Sequence, residues 1–372
     1  RRTRARARGL SFEVPESRPR NRLRRLLHPV YRRLETAVHP LRYLFLEITQ
    51  RCNLACRHCG SDCGREPREG ELSTGEWLGF IDTLAGRFRP RDVFLVLTGG
   101  EPLCHADLPR ILERAARHGF PVGLVTNGWL LDEHRVETLL RHGVTSVTVS
   151  LDGTRESHDW LRGVPGSFDR ALGGIRLLAR EPLRFLDVVT CAFPGNLGEL
   201  DAVLALLEGA GVRRWRIFSI FPKGRAHGDP ELLLAGEQTR RMLEWIAARR
   251  PVLASRGFDL DFSCEGYLSR AVDAGVRSEP YFCRAGICIG SVLCDGAIAA
   301  CPNITRELVQ GNIRTDDFRE VWERRFGRFR DRSWMRAGPC ADCGEWSRCL
   351  GNSLHLWDEE QGRTALCHHR LF

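Results

Sequence analysis

Three closely spaced cysteines constrain this chain more than any other feature. Cys52, Cys56 and Cys59 follow one another at C-x3-C-x2-C spacing, directly after the apolar strand-like run 44–48. Thiolates are the usual protein ligands of iron–sulfur clusters, and four of them complete the coordination of a [4Fe–4S] cube. Three thiolates at this spacing hold three irons and leave the fourth iron open to another ligand. A zinc site is the alternative for three neighbouring cysteines.

The chain as a whole contains fifteen cysteines in 372 residues, which an ordinary composition does not explain. Secreted disulfide scaffolds are usually short, and nothing in this sequence has the pattern of a secretory signal. Cysteines in C-x2-C pairs in a long chain indicate metal ligation in a reducing compartment. No run contains the roughly 20 apolar residues that cross a bilayer. We therefore predict a cytoplasmic protein.

Residues 1–40 are predicted to form a basic tail and an amphipathic helix. They contain twelve arginines against three glutamates, which accounts for the formal net charge of +9 of the whole chain. The remainder is about neutral, so we expect no nucleic-acid partner. Apolar residues recur at helical spacing from Leu23 to Val38, with arginines between them. Residues 18–38 therefore suit peripheral contact with an anionic membrane, or the apolar stripe packs on the body of the protein.

From residue 41 the sequence alternates strands and helices. The predicted strands are 43–49, 92–98, 121–127, 145–151, 185–193 and 214–221. The predicted helices are 74–88, 106–118, 132–142, 167–180, 197–210 and 236–250. Six such units in series predict an α/β fold with a parallel sheet and right-handed crossovers. In parallel barrels the chemistry lies at the carboxyl ends of the strands.

Glycine-rich or polar residues follow several of these strands. After the second strand comes Gly99-Gly100-Glu101-Pro102, where two glycines let the backbone approach a ligand closely. Ser150 ends the fourth strand, and Arg162 lies a short way beyond it. An arginine offers a bidentate fork to a carboxylate, and a solvated arginine is the alternative for this position.

The cysteine triplet and the Gly-Gly-Glu-Pro turn together resemble the radical S-adenosylmethionine (radical SAM) superfamily. The resemblance implies a partial six-unit (β/α) barrel over residues 41–265. It also implies a [4Fe–4S] cluster on the triplet, whose open iron binds S-adenosylmethionine and reduces it to a 5′-deoxyadenosyl radical. The cofactor-binding residues that it implies are Gly99, Gly100, Glu101, Ser150 and Arg162.

A second group of cysteines lies in residues 280–372 and resembles the SPASM extension of radical SAM enzymes. Six of the seven cysteines of that pattern are present, and Ser353 stands where the seventh belongs. The resemblance implies an outer auxiliary iron–sulfur cluster on Cys340, Cys343, Cys349 and Cys367. An inner cluster would use Cys283 and Cys301, with Cys288 as a third ligand, and its presence or absence stays open. Zinc is the alternative, because C-x2-C with two distant cysteines is an ordinary zinc arrangement.

The sequence around the C-terminal cysteines, such as Cys301-Pro302-Asn303 and Gly311-Asn312-Ile313, resembles the subgroup associated with small lipoproteins (the rSAM/lipoprotein system). SPASM relatives often modify peptides or proteins, so the resemblance implies a peptide or small protein substrate. It also implies an external electron donor of the flavodoxin or ferredoxin type. The alternatives are radical tailoring of a small molecule and a non-catalytic iron–sulfur or zinc protein.

Overall fold

The computed structural model describes residues 19–263 and 266–371, with side chains from residue 25 onward. Most of the basic tail predicted within residues 1–40 lies outside this range. The α-helices are α1 (Pro19–Val38), α2 (Thr74–Arg87), α3 (Leu108–His118), α4 (Glu133–Arg141), α5 (Arg155–Arg162), α6 (Ser167–Leu178), α7 (Leu200–Gly209), α8 (Gly236–Ser255), α9 (Arg270–Val276), α10 (Phe318–Arg324), α11 (Gly327–Arg330) and α12 (Trp346–Cys349).

The strands form one large sheet and one small hairpin. They are β1 (Tyr43–Glu47), β2 (Phe94–Thr98), β3 (Val122–Thr126), β4 (Val144–Ser150), β5 (Phe185–Ala192), β6 (Arg214–Ser219), β7 (Asp259–Phe262), β8 (Ile289–Val292), β9 (Ala297–Ala299), β10 (Gly311–Asn312), β11 (Trp357–Asp358) and β12 (Arg363–Thr364). The large sheet has the order β10-β9-β8-β1-β2-β3-β4-β5-β6-β7, and β11 pairs with β12.

Strands β1 to β7 are parallel neighbours, which confirms the predicted α/β fold with a parallel sheet. Because β7 and β1 lie apart in the strand order, the barrel is partial. The predicted strands and helices are present in the predicted order, with β7 following the sixth unit. The crossover after β4 contains the additional short helix α5, which the sequence analysis did not predict.

The cysteine-rich C-terminal region continues the same sheet. Strand β8 pairs in parallel with β1 on the side opposite β2, with Tyr43 opposite Ile289. Strands β9 and β10 extend the sheet in antiparallel fashion. The C-terminal region is therefore joined to the barrel by backbone hydrogen bonds, and the domain boundaries 1–40, 41–265 and 280–372 remain predictions.

Strand β1 is apolar and largely buried. Leu44 and Leu46 are fully buried, as is Ile48 just beyond the strand. A strand covered by helices on one face and by barrel filling on the other has to be apolar along most of its length. Strand β1 therefore ends at a fixed position, and the cysteine loop begins directly after it.

Helix α1 binds the rest of the protein through its polar face. The carboxylate of Glu35 accepts hydrogen bonds from Tyr31 (2.8 Å) and from Arg284 (3.1 Å). The apolar residues of the helix point outward, and Leu26 and Leu34 are 64% and 60% exposed. The expectation that the apolar stripe packs on the barrel is therefore wrong, because charged partners on the body fix the opposite face.

The burial of β1 leads to a stability prediction. We expect Leu46→Ala to lower the free energy of unfolding by about 2–5 kcal/mol, because it leaves a cavity in a closed core. Tyr43→Ala is the matched control on the same strand, since Tyr43 is 46% exposed. Its cost should stay below about 1 kcal/mol. Urea unfolding followed by circular dichroism measures both, and equal losses would contradict the burial described here.

Candidate metal centre and cofactor site

The cysteine triplet lies in a buried loop that follows β1. Cys52 and Cys56 are buried and Cys59 is half-buried, and all three are free thiols. They pack with Leu54, and Trp129 from the loop after β3 covers them on one side. The sequence-predicted ligands of the first cluster are thus on one compact loop at the carboxyl ends of the parallel strands.

Two glycines from other loops hold this loop by close backbone contact. A Cβ on Gly163, at the end of α5, would lie 2.5 Å from the carbonyl oxygen of Ala55. A Cβ on Gly224, after β6, would collide with the carbonyl oxygen of Cys59. Both glycines have positive φ, 69° and 57°, which also favours glycine. The position of the cysteines therefore depends on α5 and on the loop after β6.

The Gly-Gly-Glu-Pro turn packs against the chain just before the cysteines. Gly100 N–H donates to the carbonyl of Thr49 (2.8 Å), and a Cβ on Gly100 would lie 2.6 Å from the carbonyl oxygen of Arg51. The carboxylate of Glu101 is fully buried and accepts hydrogen bonds from Asn127 N–H (2.7 Å) and Thr126 Oγ1 (2.8 Å). Burial raises the pKa of Glu101 to about 7. Its side chain joins two loops, so a cofactor contact at this turn falls to the backbone.

Arg162 is not a solvated arginine. It is buried, and its Nε and Nη2 each lie 2.5 Å from the carboxylate of Asp152. Its Nη1 donates to Sγ of Cys56 at 3.7 Å. Burial alone would raise the pKa of Asp152, but the charge of Arg162 holds it below its ordinary value. The arginine therefore lies between a fixed carboxylate and a predicted cluster ligand.

Two asparagines lie near the triplet and are hydrogen-bonded to each other. Asn127 Nδ2 approaches Cys52 Sγ at 3.9 Å and donates to Asn53 Oδ1 at 2.9 Å. Ser150, the remaining predicted cofactor residue, ends β4 and is half-buried. The Thr126-Asn127-Gly128 turn after the third strand is the sequence signal that locates Asn127.

The loop fits the group that the resemblance implies. Asn53 Nδ2 and His58 Nδ1 are buried and have no hydrogen-bond partner among the described residues. Burial lowers the pKa of His58 to about 4, so the ring is neutral. Unsatisfied buried polar atoms are rare in folded proteins. Beside three free thiols, they are consistent with a bound cluster and cofactor at this loop.

Cys63 is a fourth thiol beside the triplet. Its thiol and its backbone N–H both donate to Cys59 Sγ, the latter at 3.4 Å. These bonds lower the pKa of Cys59 to about 5. Cys63 therefore supports the Cys59 thiolate through hydrogen bonds.

The four outer cysteines of the C-terminal region are brought together by the fold. Burial raises the pKa of Cys349 to about 12, with smaller contributions from the negative charges of three neighbouring thiolates: Cys340, Cys343 and Cys367. Cys340 is the last residue of the helical turn Gly338–Cys340, and Cys349 ends α12. Cys367 lies near residue 372. Their role as ligands of an auxiliary cluster remains a prediction.

The inner cysteines have different surroundings. Cys283 accepts hydrogen bonds from the backbone of Leu354 and from the side chain of Arg332. Ser353, the residue before Leu354, has its Oγ 3.0 Å from the hydroxyl of Tyr281. Cys288 instead interacts with Glu35 and Arg284 at the start of β8. Cys301 follows β9 and is half-buried. The structure thus places Cys283 next to Ser353, and Cys288 against α1.

The spacing of these thiols bears on the zinc alternative. Four thiolates around one zinc ion lie about 3.8 Å apart, because each Zn–S bond is about 2.3 Å long. Among the described residues, the one group of three candidate ligand atoms within 4.8 Å of each other is His58, Asp152 and Cys191. In the described part of the chain, no three cysteine sulfurs form such a close group.

A buried carboxylate that the sequence analysis did not select lines a cavity beside the cysteine loop. The cavity has a volume of about 220 Å³ and lies between the end of β1, Gly60 and Ser61, the loop at Lys223, and residues 302–306. Glu47 is 4% exposed and accepts a hydrogen bond from Gln50 (2.8 Å). Burial raises its pKa to about 7. An acidic residue ending an apolar strand is the sequence signal that would have located it.

Comparison with known proteins agrees with this geometry. The profile of the Radical SAM superfamily matches residues 46–213, and the profile of SPASM, an iron–sulfur cluster-binding domain, matches residues 283–344. An AdoMet-dependent heme synthase of Methanosarcina barkeri is 31% identical over 83% of this chain and 90% of its own length. The mycofactocin maturase MftC of Mycolicibacterium smegmatis is 32% identical over 83% of this chain and 76% of its own.

Among solved structures, SuiB of Streptococcus suis has the same fold. Bound to S-adenosylmethionine, it superposes with a TM-score of 0.65 at 17% identity, covering 92% of this chain and 80% of SuiB. With its precursor peptide SuiA, the TM-score is 0.64 at 17% identity, over 91% of this chain and 77% of SuiB. At this identity the likeness concerns the fold alone.

The chain is a radical SAM enzyme, a class defined by a partial parallel barrel with a cysteine loop at its mouth. It belongs to the radical SAM superfamily and carries a SPASM domain. Both domains imply [4Fe–4S] clusters, and the superfamily implies S-adenosylmethionine as cofactor. No helix in the described part of the chain is long and apolar enough to cross a membrane.

The glycine contacts of the cysteine loop lead to a prediction. Gly163→Ala should weaken retention of the first cluster by about 10-fold or more, as changes that displace metal ligands do, because its Cβ would push Ala55 away. Gly166→Ala is the matched control: φ is 83° there, but a Cβ meets nothing within 4 Å. Iron per protein after anaerobic reconstitution measures the effect. Equal iron content in the two variants would show that the contact is not required.

Proposed function

We propose that this enzyme modifies a side chain of a peptide or small protein by radical chemistry. The observation that carries the proposal is the cavity beside the cysteine loop, with Glu47 at its inner end. Its volume of about 220 Å³ is smaller than the roughly 300–1,000 Å³ of sites that enclose whole small-molecule ligands. One amino-acid side chain fits this space while the rest of a peptide stays outside.

The lining of the cavity supports a polar substrate segment. Lys223, on the rim, is paired with Glu359 of the C-terminal region at 3.2 Å. Arg306 is paired with Asp295, and Arg68 donates to Gln50 Oε1 at 3.2 Å. Charged pairs around a small opening favour the hydrogen-bonding groups of a peptide over an extended apolar ligand. Glu47 would accept a hydrogen bond from the bound side chain.

Two relatives support a peptide substrate. The maturase MftC, named for mycofactocin, aligns with 83% of this chain. SuiB is known with its precursor peptide SuiA, and its fold covers most of this chain. We extend the peptide substrate of SuiB to this enzyme as part of the proposal.

Each residue set has its own task in the proposed mechanism. Cys52, Cys56 and Cys59 would hold the first cluster, and Glu101 fixes the turn that faces the cofactor. The bound cluster and S-adenosylmethionine supply the 5′-deoxyadenosyl radical that abstracts a hydrogen atom from the substrate. Glu47 orients the substrate side chain, and the buried walls of the cavity keep water away from it.

A small-molecule substrate is the second candidate. It is favoured by the heme synthase relative, which covers 83% of this chain at 31% identity. A tetrapyrrole is larger than the cavity beside Glu47, which argues against the same mode of binding. The two candidates differ in the product that forms in cells.

The remaining partners are also proposals. A flavodoxin- or ferredoxin-type protein would supply electrons, and oxygen-sensitive clusters would place the enzyme in the cytoplasm. The outward apolar stripe of α1, with Leu26 and Leu34 exposed, supports peripheral contact with an anionic membrane through residues 18–38.

Mass spectrometry tests the proposed function. Small peptides and lipoproteins encoded beside the gene are each co-expressed anaerobically with the enzyme, and haem is extracted from the same cells. We expect a mass change on one peptide that disappears with Cys56→Ala, because this variant lacks a ligand of the first cluster. New haem without any peptide change would instead establish the second candidate.

The role of Glu47 has its own prediction. Glu47→Gln should lower the product formed per 5′-deoxyadenosine by about 10- to 100-fold, the loss of a hydrogen bond to a charged group. Wild-type yield should rise as the pH passes through about 7, where the carboxylate forms, and the variant should lack this rise. Peptide mass spectrometry and 5′-deoxyadenosine quantification measure both.

Glu71→Gln is the matched control for Glu47. Glu71 lies close to Glu47 and accepts hydrogen bonds from Gln50 N–H (2.7 Å) and Thr49 Oγ1 (3.0 Å), but it does not line the cavity. The Glu71→Gln variant should form as much product per 5′-deoxyadenosine as the wild type and show the same rise with pH. Identical behaviour of the two variants would remove Glu47 from the substrate site.

A further inference from the structure

The buried guanidinium of Arg162 contacts one carboxylate and one thiol. Both of its contacts with charged or ionisable groups are short: the carboxylate of Asp152 at 2.5 Å and Sγ of Cys56 at 3.7 Å. Asp152 is fixed in turn, because its second oxygen accepts Cys191 N–H at 2.8 Å and its carbonyl accepts Asn196 Nδ2 at 2.6 Å. The guanidinium therefore has a single orientation, with one N–H directed at a thiol.

Backbone hydrogen bonds also hold Arg162 close to Cys56. Ala55 N–H donates to the carbonyl of Arg162 (3.2 Å), and Arg57 N–H donates to the carbonyl of Leu161 (2.9 Å). These bonds flank Cys56 on both sides. The cysteine loop and the end of α5 therefore move as one unit, and the N–H···S contact is built into the fold.

We propose that Arg162 is a positioning residue that donates a charge-assisted hydrogen bond to Cys56 and thereby favours the reduced state of the first cluster. The inference rests on the assignment of Cys56 as a cluster ligand. It replaces the sequence-based expectation that Arg162 pairs with the cofactor carboxylate, since Asp152 already occupies the fork of the guanidinium.

The physical basis is the charge on the ligand sulfur. Reduction adds one electron to a cluster whose thiolates already carry negative charge, so a donor to a ligand sulfur stabilises the reduced form more than the oxidised form. The negative charge of Asp152 acts in the opposite direction on Cys56. Arg162 outweighs Asp152 in its effect on the sulfur, because its Nη1–H is in hydrogen-bond contact with Cys56 Sγ (3.7 Å), whereas the carboxylate is held at the Nε side of the guanidinium.

The test is a redox titration of the reconstituted enzyme without S-adenosylmethionine, followed by electron paramagnetic resonance. The double variant Arg162→Met with Asp152→Asn removes the buried charge pair together, so that no buried charge is left unpaired. The amide introduced by Asp152→Asn keeps an oxygen that can accept Cys191 N–H. We expect the equilibrium constant for reduction of the first cluster to fall about tenfold, which is 59 mV for a one-electron couple.

Two further variants complete the experiment. Arg57→Gln is the matched control on the cysteine loop, because Arg57 lies over Trp160 and pairs with Glu231 at 2.9 Å, away from the sulfurs. Its reduction equilibrium should equal that of the wild type. Arg162→Lys keeps a cation beside Asp152, so its equilibrium constant for reduction should lie between those of the wild type and the double variant. It also provides a test if the double variant loses its iron.

The opposing results are distinct. Unchanged reduction without S-adenosylmethionine in the Arg162 variants, combined with weaker binding of S-adenosylmethionine, would overturn the proposal and assign Arg162 to the cofactor carboxylate. Wild-type protein that contains zinc and no iron would overturn the cluster assignment itself. If the wild-type enzyme modifies no peptide but its first cluster is still reduced more easily than that of the double variant, the proposed function fails and this inference stands.

Discussion

The cysteine loop depends on close backbone contact with three other loops. The turn at Gly100 lies against Thr49 and Arg51, just before the loop. Gly163 lies against Ala55, and Gly224 lies against Cys59. A side chain at any of these glycines would displace the thiols. The carboxyl ends of the parallel strands thus come close enough to fix three sulfur atoms without a covalent link between them.

Acidic groups buried around this loop differ in their charge state. Glu47 and Glu101 have their pKa values raised to about 7 by burial, although hydrogen bonds from neighbouring groups oppose the change. Asp152 is buried to a similar degree, but Arg162 holds its pKa below the ordinary value. The difference is the presence of a paired cation. One carboxylate is therefore a permanent charge, whereas Glu47 gains or loses its charge near neutral pH.

The C-terminal region is more than an attached cluster carrier. Its strand β8 completes the sheet beside β1, and residues 302–306 form one wall of the cavity at Glu47. Lys223 of the barrel, which lines the cavity, also pairs with Glu359 of the C-terminal region. The SPASM region therefore helps to form this cavity.

The sequence by itself determined the superfamily, the order of strands and helices, and the cysteines that are candidates for iron. These follow from local patterns: apolar strands that alternate with amphipathic helices, and thiols at short fixed spacing. Only the tertiary structure decided what surrounds them. Arg162 is buried against Cys56, Glu47 lines a cavity, and Cys288 lies against Glu35 rather than beside Ser353. Likewise, the polar face of α1 faces the body, where Arg284 pairs with Glu35. The sequence did not reveal this pair, because its members are far apart along the chain. Burial and long-range pairing arise from the packing of separate segments, and a local pattern carries no record of which segment will lie opposite.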